Sequence, residues 1–299
     1  MIQAEKVTMM FDEKIALDGL SCQIPDGCIY GLVGSNGSGK STFLRLISGI
    51  YKPYGGEIKF DGLPVYENPL VKSKLVFVSD DLYFLPQASM NRMAAMYRSI
   101  YDTFSMERFR NLTATFGLDP EANINTFSKG MKRQAATILA LSVCPRYLFF
   151  DETFDGLDPV IRNLVKTVIY NDVAERNTTV IITSHSLREL EDTCDQLALL
   201  HKGGIVFESD IQNLKTSLFK VQIALKDAYD RSLFGDISML DYVQRGSVAN
   251  FIVRGDRDEM KERLSVLNPL VLDILPLTLE EVFVYEMEAL GYAFKDILM

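Results

Sequence analysis

Short runs of β-branched and aromatic residues alternate with amphipathic segments through the first two thirds of the chain. The runs predict buried strands at residues 28–33, 75–79, 147–150 and 179–183. The segments between them have apolar residues at helical spacing and predict helices at residues 40–48, 89–101, 130–142, 160–175 and 187–194. This alternation is typical of an α/β domain with a mixed or parallel sheet.

The pattern changes after a predicted hairpin, in which Lys202, Gly203 and Gly204 form a tight turn between residues 197–200 and 205–208. The remaining elements are predicted as strands at 220–226, 241–244, 249–253 and 271–274, with a helix at 258–267. Thr278 and Glu281 form a capping box that opens a final helix. We therefore expect a larger domain at residues 1–214 and a small α+β accessory domain at residues 215–299.

The composition narrows the possible functions. The 299 residues include 31 Lys and Arg against 40 Asp and Glu, and the formal charge of −9 argues against a nucleic-acid-binding surface. The first residues lack the basic and apolar regions of a secretory signal, and no apolar run approaches the roughly 18 residues of a membrane span. The four scattered cysteines indicate buried thiols in a reducing compartment rather than a disulfide scaffold or a zinc site.

A phosphate-binding loop is the strongest motif in the sequence. It follows an apolar strand, opens an amphipathic helix and fits G-x-x-x-x-G-K-[ST]. The residues of this loop are Gly34, Ser35, Asn36, Gly37, Ser38, Gly39, Lys40, Ser41 and Thr42. Glycines allow backbone N–H groups to point at phosphates, and the helix N-terminus adds partial positive charge. We expect Lys40 to bridge the β- and γ-phosphates of ATP and Ser41 to bind Mg²⁺.

Two adjacent carboxylates follow a second apolar strand. Asp151 and Glu152 come directly after residues 147–150, at the end of the strand that faces the ligand crevice in an open α/β sheet. Asp151 suits the coordination sphere of Mg²⁺. Glu152 suits the general base that polarises an attacking water.

These motifs together make residues 1–215 resemble the ATP-binding subunit of an ABC transporter. Ser128 and Gly130 match the signature segment of that family, whereas Phe127, Lys129 and Met131 depart from it. The string from Ser128 to Arg133 resembles a variant of the antibiotic- and bacteriocin-exporter branch. The resemblance implies that this segment caps the γ-phosphate held by an opposite subunit, and the effect of the added Lys129 cation on the rate is left open.

Further positions support the resemblance. It implies that Asp155 and Asp158 communicate across a dimer, that His185 contacts the γ-phosphate and that Phe11 stacks on adenine. Asp80 stands where the family normally has a glutamine that touches Mg²⁺ and the attacking water. Asp80 could act in catalysis or in metal binding. Its negative charge could instead weaken the binding of metal-free ATP, slow hydrolysis or alter gating, and the sequence does not choose among these.

The resemblance also implies the assembly. Two ATP-binding subunits, expected as a homodimer, would enclose ATP and Mg²⁺ between them, and separate transmembrane permease subunits would carry the cargo. A helical subdomain at about residues 82–145 would dock the membrane helices, and the chain would sit at the cytoplasmic face of the membrane without touching cargo. The expected process is export of a peptide, antibiotic or other amphipathic compound from a bacterial cell, although sodium or lipid export fits the same residues.

Two other functions are alternatives to this one. A soluble ABC ATPase acting on ribosomes or DNA is disfavoured by the acidic balance and by the short segment between Lys40 and Phe127, which leaves no room for a long coiled coil. A non-hydrolysing or slow nucleotide-binding regulator is suggested by Asp80 and Lys129. The stripe of Met90, Met93 and Met96 fits either a docking surface or an ordinary helix core.

Overall fold

The computed structural model describes residues 1–154, 156–289 and 291. The chain divides into two compact units, Met1–Glu208 and Ser209–Met299. Among the described residues, no helix combines the length and the apolar character that crossing a bilayer requires. The domain boundary inferred from the sequence, between residues 214 and 215, stays a proposal.

The first unit contains two sheets and a set of helices. Its strands are β1 (Ile2–Phe11), β2 (Lys14–Ile24), β3 (Ile29–Val33), β4 (Gly55–Phe60), β5 (Leu63–Pro64), β6 (Leu75–Val78), β7 (Tyr147–Asp151), β8 (Thr179–Ser184), β9 (Gln196–His201) and β10 (Gly204–Asp210). Its helices are α1 (Lys40–Ile47), α2 (Pro69–Lys72), α3 (Met90–Ile100), α4 (Met106–Phe116), α5 (Lys129–Ser142), α6 (Pro159–Arg176) and α7 (Leu187–Glu191).

The central sheet has the order β10-β9-β3-β8-β7-β6 and brings three strand ends together. Strand β3 runs parallel to β8 and β9, and β7 runs parallel to β6 and β8. The carboxyl ends of β3, β7 and β8 therefore lie at the same edge, where α/β sheets bind ligands. The sheet is mixed because β9 turns into β10 through Lys202 and Gly203, which both have positive φ. The expectation of a mixed α/β sheet is confirmed.

A second, antiparallel sheet of order β2-β1-β4-β5 was not predicted from the sequence. Register shifts interrupt the pairing of β1 with β2 at three places between Ala4 and Met10, so the two-residue alternation of a strand is broken. This sheet packs against α1 and the central sheet through one apolar cluster, in which the rings of Phe60 and Tyr147 meet edge to face at 4.8 Å. Helix α1, which follows the phosphate loop, is thereby held between the two sheets.

Helices α3, α4 and α5 form the helical part of the first unit. Serine side chains cap their first turns: Ser89 for α3, Ser105 for α4 and Ser128 for α5. Met90 and Met93 are fully buried, so core packing accounts for these two methionines of the predicted stripe. Helix α4 was not predicted from the sequence, although Phe109, Leu112 and Phe116 have the spacing of a buried helical face.

The second unit is an antiparallel sheet of order β12-β13-β11-β14 with three α-helices and a short 3-10 helix (Arg231–Phe234) in the described residues. Its strands are β11 (Leu218–Ala224), β12 (Met239–Arg245), β13 (Val248–Arg254) and β14 (Val271–Pro276), and its helices are α8 (Ile211–Ser217), α9 (Arg257–Ser265) and α10 (Leu279–Ala289). One face of the sheet carries an apolar cluster centred on Phe219, Phe234 and Phe251. Helix α8 was not predicted from the sequence.

The predicted capping box at the start of α10 is present. The backbone N–H of Thr278 donates to Glu281 Oε2 at 2.9 Å, and the backbone N–H of Glu281 donates to Thr278 Oγ1 at 3.3 Å. Removing the hydroxyl in a Thr278→Ala variant should cost about 1 kcal/mol of local helix stability. Amide hydrogen exchange in the first turn of α10 should therefore be about fivefold faster. A Thr278→Ser variant keeps the hydroxyl and should exchange at the wild-type rate; equal acceleration in both variants would contradict a capping role.

Candidate nucleotide-binding and catalytic site

The loop between β3 and α1 is shaped by glycines at positions that exclude a side chain. A Cβ on Gly34 would lie 2.3 Å from the carbonyl oxygen of Leu200. Gly39 has φ of 114°, and a Cβ there would lie 2.7 Å from Leu17 Cδ2. The backbone therefore curls tightly ahead of α1, with its first helical residue at Lys40.

Lys40 is nearly buried and is held by the loop that it follows. Its Nζ donates to the carbonyl oxygens of Gly34 at 2.7 Å and Ser35 at 3.2 Å, and it lies 3.5 Å from Glu152 Oε1. Within the described part of the chain, the buried hydroxyl of Ser38 has no hydrogen-bond partner. A buried donor without a partner is costly, and the oxygen of a phosphate supplies the acceptor that it needs. The loop therefore fits a phosphate group.

Asp151 is buried at the end of β7 and is oriented by two hydroxyl groups. Ser41 Oγ donates to Asp151 Oδ1 at 3.1 Å, and Thr183 Oγ1 donates to the same oxygen at 2.8 Å. Asp151 and Thr183 are register partners across β7 and β8, so the sheet itself sets this contact. The carboxylate is 1% exposed, and it faces α1 across the crevice.

Glu152 has a backbone conformation that is uncommon for a residue with a side chain. Its φ is 48°, in the left-handed region, and such strain is concentrated at functional sites. The backbone is held by two contacts, since its N–H lies 3.1 Å from Thr183 Oγ1 and 3.2 Å from Thr183 O. The side chain is partly exposed and reaches toward Lys40. This geometry places a carboxylate at the mouth of the phosphate loop.

A cavity of about 290 Å³ joins these residues to Phe11. It is lined by Phe11, Lys14, Ala16, Asn36, Gly37, Gly39, Lys40, Ser41, Thr42 and Glu152. The Phe11 ring is 42% exposed and meets the edge of Tyr51 at 5.6 Å, which leaves ring surface available for stacking. The sequence-predicted stacking residue, phosphate loop and general base therefore converge on one cavity.

The donor atoms beside this cavity also fit magnesium. Mg²⁺ prefers hard oxygen ligands and is commonly held by one or two protein groups together with substrate phosphates. Ser41 Oγ and Asp151 Oδ1 supply two such oxygens, 3.1 Å apart. Within residues 1–154, 156–289 and 291, no cluster of three or more His, Cys, Asp and Glu side chains is arranged to hold a metal without a substrate.

The predicted signature residues lie elsewhere on the first unit. Ser128 caps α5 by accepting from the backbone N–H of Met131 at 3.2 Å, and Ser128, Lys129 and Met131 are exposed. Gly130 packs against the loop after β7, where a Cβ on it would lie 3.3 Å from the carbonyl oxygen of Gly156. None of these four signature residues lines the cavity.

The remaining predicted site residues lie at or near the ends of other helices and strands of the first unit. Asp158 caps α6 by accepting from the N–H groups of Val160 and Ile161, each at 3.1 Å. His185 follows β8 directly and is exposed. Asp80 does not line the cavity, and its carboxylate pairs with Arg133 of α5. Asp155 lies outside the described residues.

Three residues of this region were missed by sequence reasoning. Thr183 orients both Asp151 and Glu152, but it lies inside an apolar strand and its role follows from the β7–β8 register. Arg133 pairs with Asp80 across 53 positions of sequence, a distance that no local pattern spans. Lys14 lines the cavity beside Phe11, and its closeness in sequence to Phe11 was an available signal.

The fold and this site define a P-loop nucleotide-binding ATPase. The ABC transporter family profile matches residues 17–155. YtrB, an ABC transporter ATP-binding protein of Bacillus subtilis (strain 168), is 31% identical over 285 residues, which are 95% of this chain and 97% of that protein. The chain therefore belongs to the ABC transporter ATP-binding proteins.

Two further comparisons agree with this assignment. The daunorubicin/doxorubicin resistance ATP-binding protein DrrA of Streptomyces peucetius is 28% identical over 239 residues, 77% of this chain and 72% of that protein. The solved dimeric structure of MJ0796, a bacterial ABC transporter cassette, is 21% identical with a TM-score of 0.63 over 71% of this chain and 99% of the cassette. The latter comparison confirms the fold of the ATPase unit.

Proposed function

We propose that this chain hydrolyses ATP with Glu152 as general base and thereby powers a bacterial exporter. The observation that carries the proposal is the convergence of Phe11, the phosphate loop and Glu152 on one cavity. Asp151 and Ser41 meet directly behind it. From one end to the other, this arrangement supplies a surface for stacking on adenine, a loop for the phosphates, oxygen ligands for a metal and a base near the γ-phosphate.

The proposed roles follow from the chemistry of each group. Phe11 stacks on the adenine ring, and the loop N–H groups with Lys40 hold the β- and γ-phosphates. Glu152 accepts a proton from the water that attacks the γ-phosphate. His185 contacts the γ-phosphate from the end of β8. Ser41 and Asp151 would hold Mg²⁺, which would supply positive charge to neutralise the phosphates.

We further propose that the working unit contains two ATP-binding subunits. The exposed residues Ser128, Lys129 and Met131, with the partly exposed Gly130, open α5 with its positive helix end, which suits an anion held by another molecule. The solved MJ0796 cassette is dimeric, which supports the same arrangement for this chain. Asp155 and Asp158 lie in the segment that we expect to communicate between the subunits.

The cargo and membrane partners are inferred from relatives. DrrA is a daunorubicin/doxorubicin resistance protein, and the bacitracin transport protein BcrA of Bacillus licheniformis is 28% identical over 72% of this chain. These names favour export of an antibiotic, a peptide or another amphipathic compound. We propose that separate transmembrane permease subunits carry this cargo and hold the chain at the cytoplasmic face of the membrane. Copurification in detergent tests this part: recovery of the chain with no membrane protein would contradict it.

The catalytic proposal is tested by a Glu152→Gln variant. Glutamine keeps the shape of the side chain but cannot accept the proton, so ATP turnover should fall by about 100-fold. Binding of ATP should remain near the wild-type level, because the phosphate loop and Phe11 are unchanged. Turnover is measured as phosphate release, and affinity is measured with a fluorescent ATP analogue.

The matched control is Glu175→Gln, an exposed glutamate on α6 in the same unit. It removes the same charge and should leave turnover unchanged. Unaltered turnover in the Glu152→Gln variant would remove Glu152 as the base. Absence of turnover in the wild-type chain with its membrane partners, together with ATP binding, would favour the regulator function instead.

A further inference from the structure

Asp80 and Arg133 form an ion pair between two functional segments of the ATPase unit. Asp80 lies in the loop that follows β6, and Arg133 lies in the second turn of α5, which the signature residues open. Arg133 Nη2 donates to Asp80 Oδ1 at 2.5 Å. The arginine side chain is 21% exposed and the aspartate side chain is 51% exposed, so water screens the pair only in part.

The same guanidinium group also reaches the loop after β7. Arg133 Nη1 lies 3.4 Å from the point at which a Cβ on Gly156 would stand. A Cβ on Gly130, one turn earlier on α5, would lie 3.3 Å from the Gly156 carbonyl oxygen, so the two backbone segments lie close together. The first turns of α5 are therefore held between the loop that carries Asp80 and the loop that follows the catalytic carboxylates.

Asp80 and the candidate metal-binding oxygens are engaged by different partners. The cavity formed by the phosphate loop and Glu152 does not include Asp80 among its lining residues. The oxygens that meet beside that cavity belong to Ser41 and Asp151. A carboxylate that is engaged by a guanidinium group is already neutralised and gains less from a cation than a free one.

We propose that Asp80 is a positioning residue that anchors the signature turn, Ser128 to Met131, through Arg133, and that it does not bind Mg²⁺. The negative charge of Asp80 is what holds the guanidinium group of Arg133 in this place. The proposal rests on the proposed function, because it assumes that turnover requires a correctly placed signature turn.

The expected effects on kcat and on thermal unfolding distinguish a positioning role of the ion pair from a role in folding stability alone. A partly exposed ion pair contributes about 0–1 kcal/mol to folding, so its loss should hardly change thermal unfolding. Misplacement of a group that acts on a phosphate affects the rate much more strongly than it affects stability. Loss of either partner should therefore lower kcat by about tenfold while the unfolding temperature changes little.

The experiment compares four variants of the full chain. Asp80→Asn and Arg133→Gln each remove one partner, and the charge swap Asp80→Arg with Arg133→Asp restores a pair of opposite polarity. Arg110→Gln removes an exposed charge of α4, outside the signature segment, and serves as the control. For each variant we would measure kcat for ATP and the Mg²⁺ concentration that gives half-maximal turnover, together with amide hydrogen exchange of residues 127–134.

The anchor predicts one pattern across these readouts. Asp80→Asn and Arg133→Gln lower kcat equally, leave the Mg²⁺ requirement unchanged and accelerate exchange in residues 127–134, whereas the charge swap restores both properties in part. An increase in the Mg²⁺ requirement for Asp80→Asn alone would identify Asp80 as a metal ligand and overturn the proposal. Unchanged exchange and unchanged kcat in both single variants would overturn it as well.

The outcome for Glu152 is separate from this result. If Glu152→Gln leaves turnover unchanged, the proposed catalytic role fails whatever happens at Asp80. The exchange measurement does not depend on turnover, so it still decides whether Asp80 and Arg133 hold the signature turn.

Discussion

Replacing Lys40 with methionine is expected to reduce ATP turnover by about a thousandfold. Lys40 is the buried cation of the phosphate loop, and its ammonium group lies between the loop carbonyls and Glu152. Methionine keeps an unbranched apolar stem of nearly the same length but removes the ammonium group and its charge. The negative charge that develops on the phosphates during hydrolysis would then have no lysine to stabilise it. Turnover is measured as phosphate release at saturating ATP and Mg²⁺.

The control for this experiment is Lys74→Met. Lys74 is exposed in the same unit, and its substitution removes one positive charge without changing the cavity. The control should retain wild-type turnover. A Lys40→Met variant that is folded and hydrolyses ATP within a few-fold of the wild-type rate would show that the loop holds no catalytic phosphate.

Replacing Arg108 with alanine is expected to destabilise the ATPase unit by about 3–5 kcal/mol. Arg108 of α4 donates to both carboxylate oxygens of Asp172 on α6, at 2.7 and 2.6 Å, and Asp172 is 2% exposed. Burial raises the pKa of the Asp172 carboxyl, and Arg108 opposes that rise. Without the arginine, a buried carboxylate loses its principal partner, and Arg176 at 3.4 Å replaces it only in part. Urea unfolding followed by circular dichroism measures the loss.

Two further variants distinguish the cost of leaving the buried Asp172 unpaired from the general effect of removing an arginine from α4. Arg110 lies two residues along α4 and is exposed, so Arg110→Ala should change stability by less than about 0.5 kcal/mol. The double variant Arg108→Met with Asp172→Leu removes both charges and should recover most of the lost stability. A double variant that is no more stable than Arg108→Ala would show that the charge pair is not the source of the effect.

The nucleotide site was largely predictable because its parts are local in sequence. A phosphate loop needs glycines, a lysine and a hydroxyl at set positions on one turn of chain, and all of these lie between Gly34 and Thr42. Asp151 and Glu152 were predictable for the same reason, since they end one apolar strand. The capping box of Thr278 and Glu281 is likewise a four-residue pattern.

The elements that were missed have weaker local patterns. The bulges of β1 break the alternation of apolar and polar residues by which a strand is recognised. The antiparallel sheet was therefore not predicted from the sequence. Helix α4 has a visible apolar face but lies in a polar stretch. The burial of Met90 and Met93 also required the structure, because a methionine stripe is compatible with either a core or a docking surface.

The residue types and their order along the chain are enough to define an ATP-binding P-loop domain and its candidate base. The partners of those residues depend on contacts between distant segments. Thr183 meets Asp151 because β8 pairs with β7, and Arg133 meets Asp80 because α5 packs against the loop after β6. The local sequence shows which chemical group each residue carries. The register of the sheet and the packing of the helices decide which other group it contacts. The role of Asp80 changes for this reason from a candidate metal ligand to a proposed anchor of the signature turn.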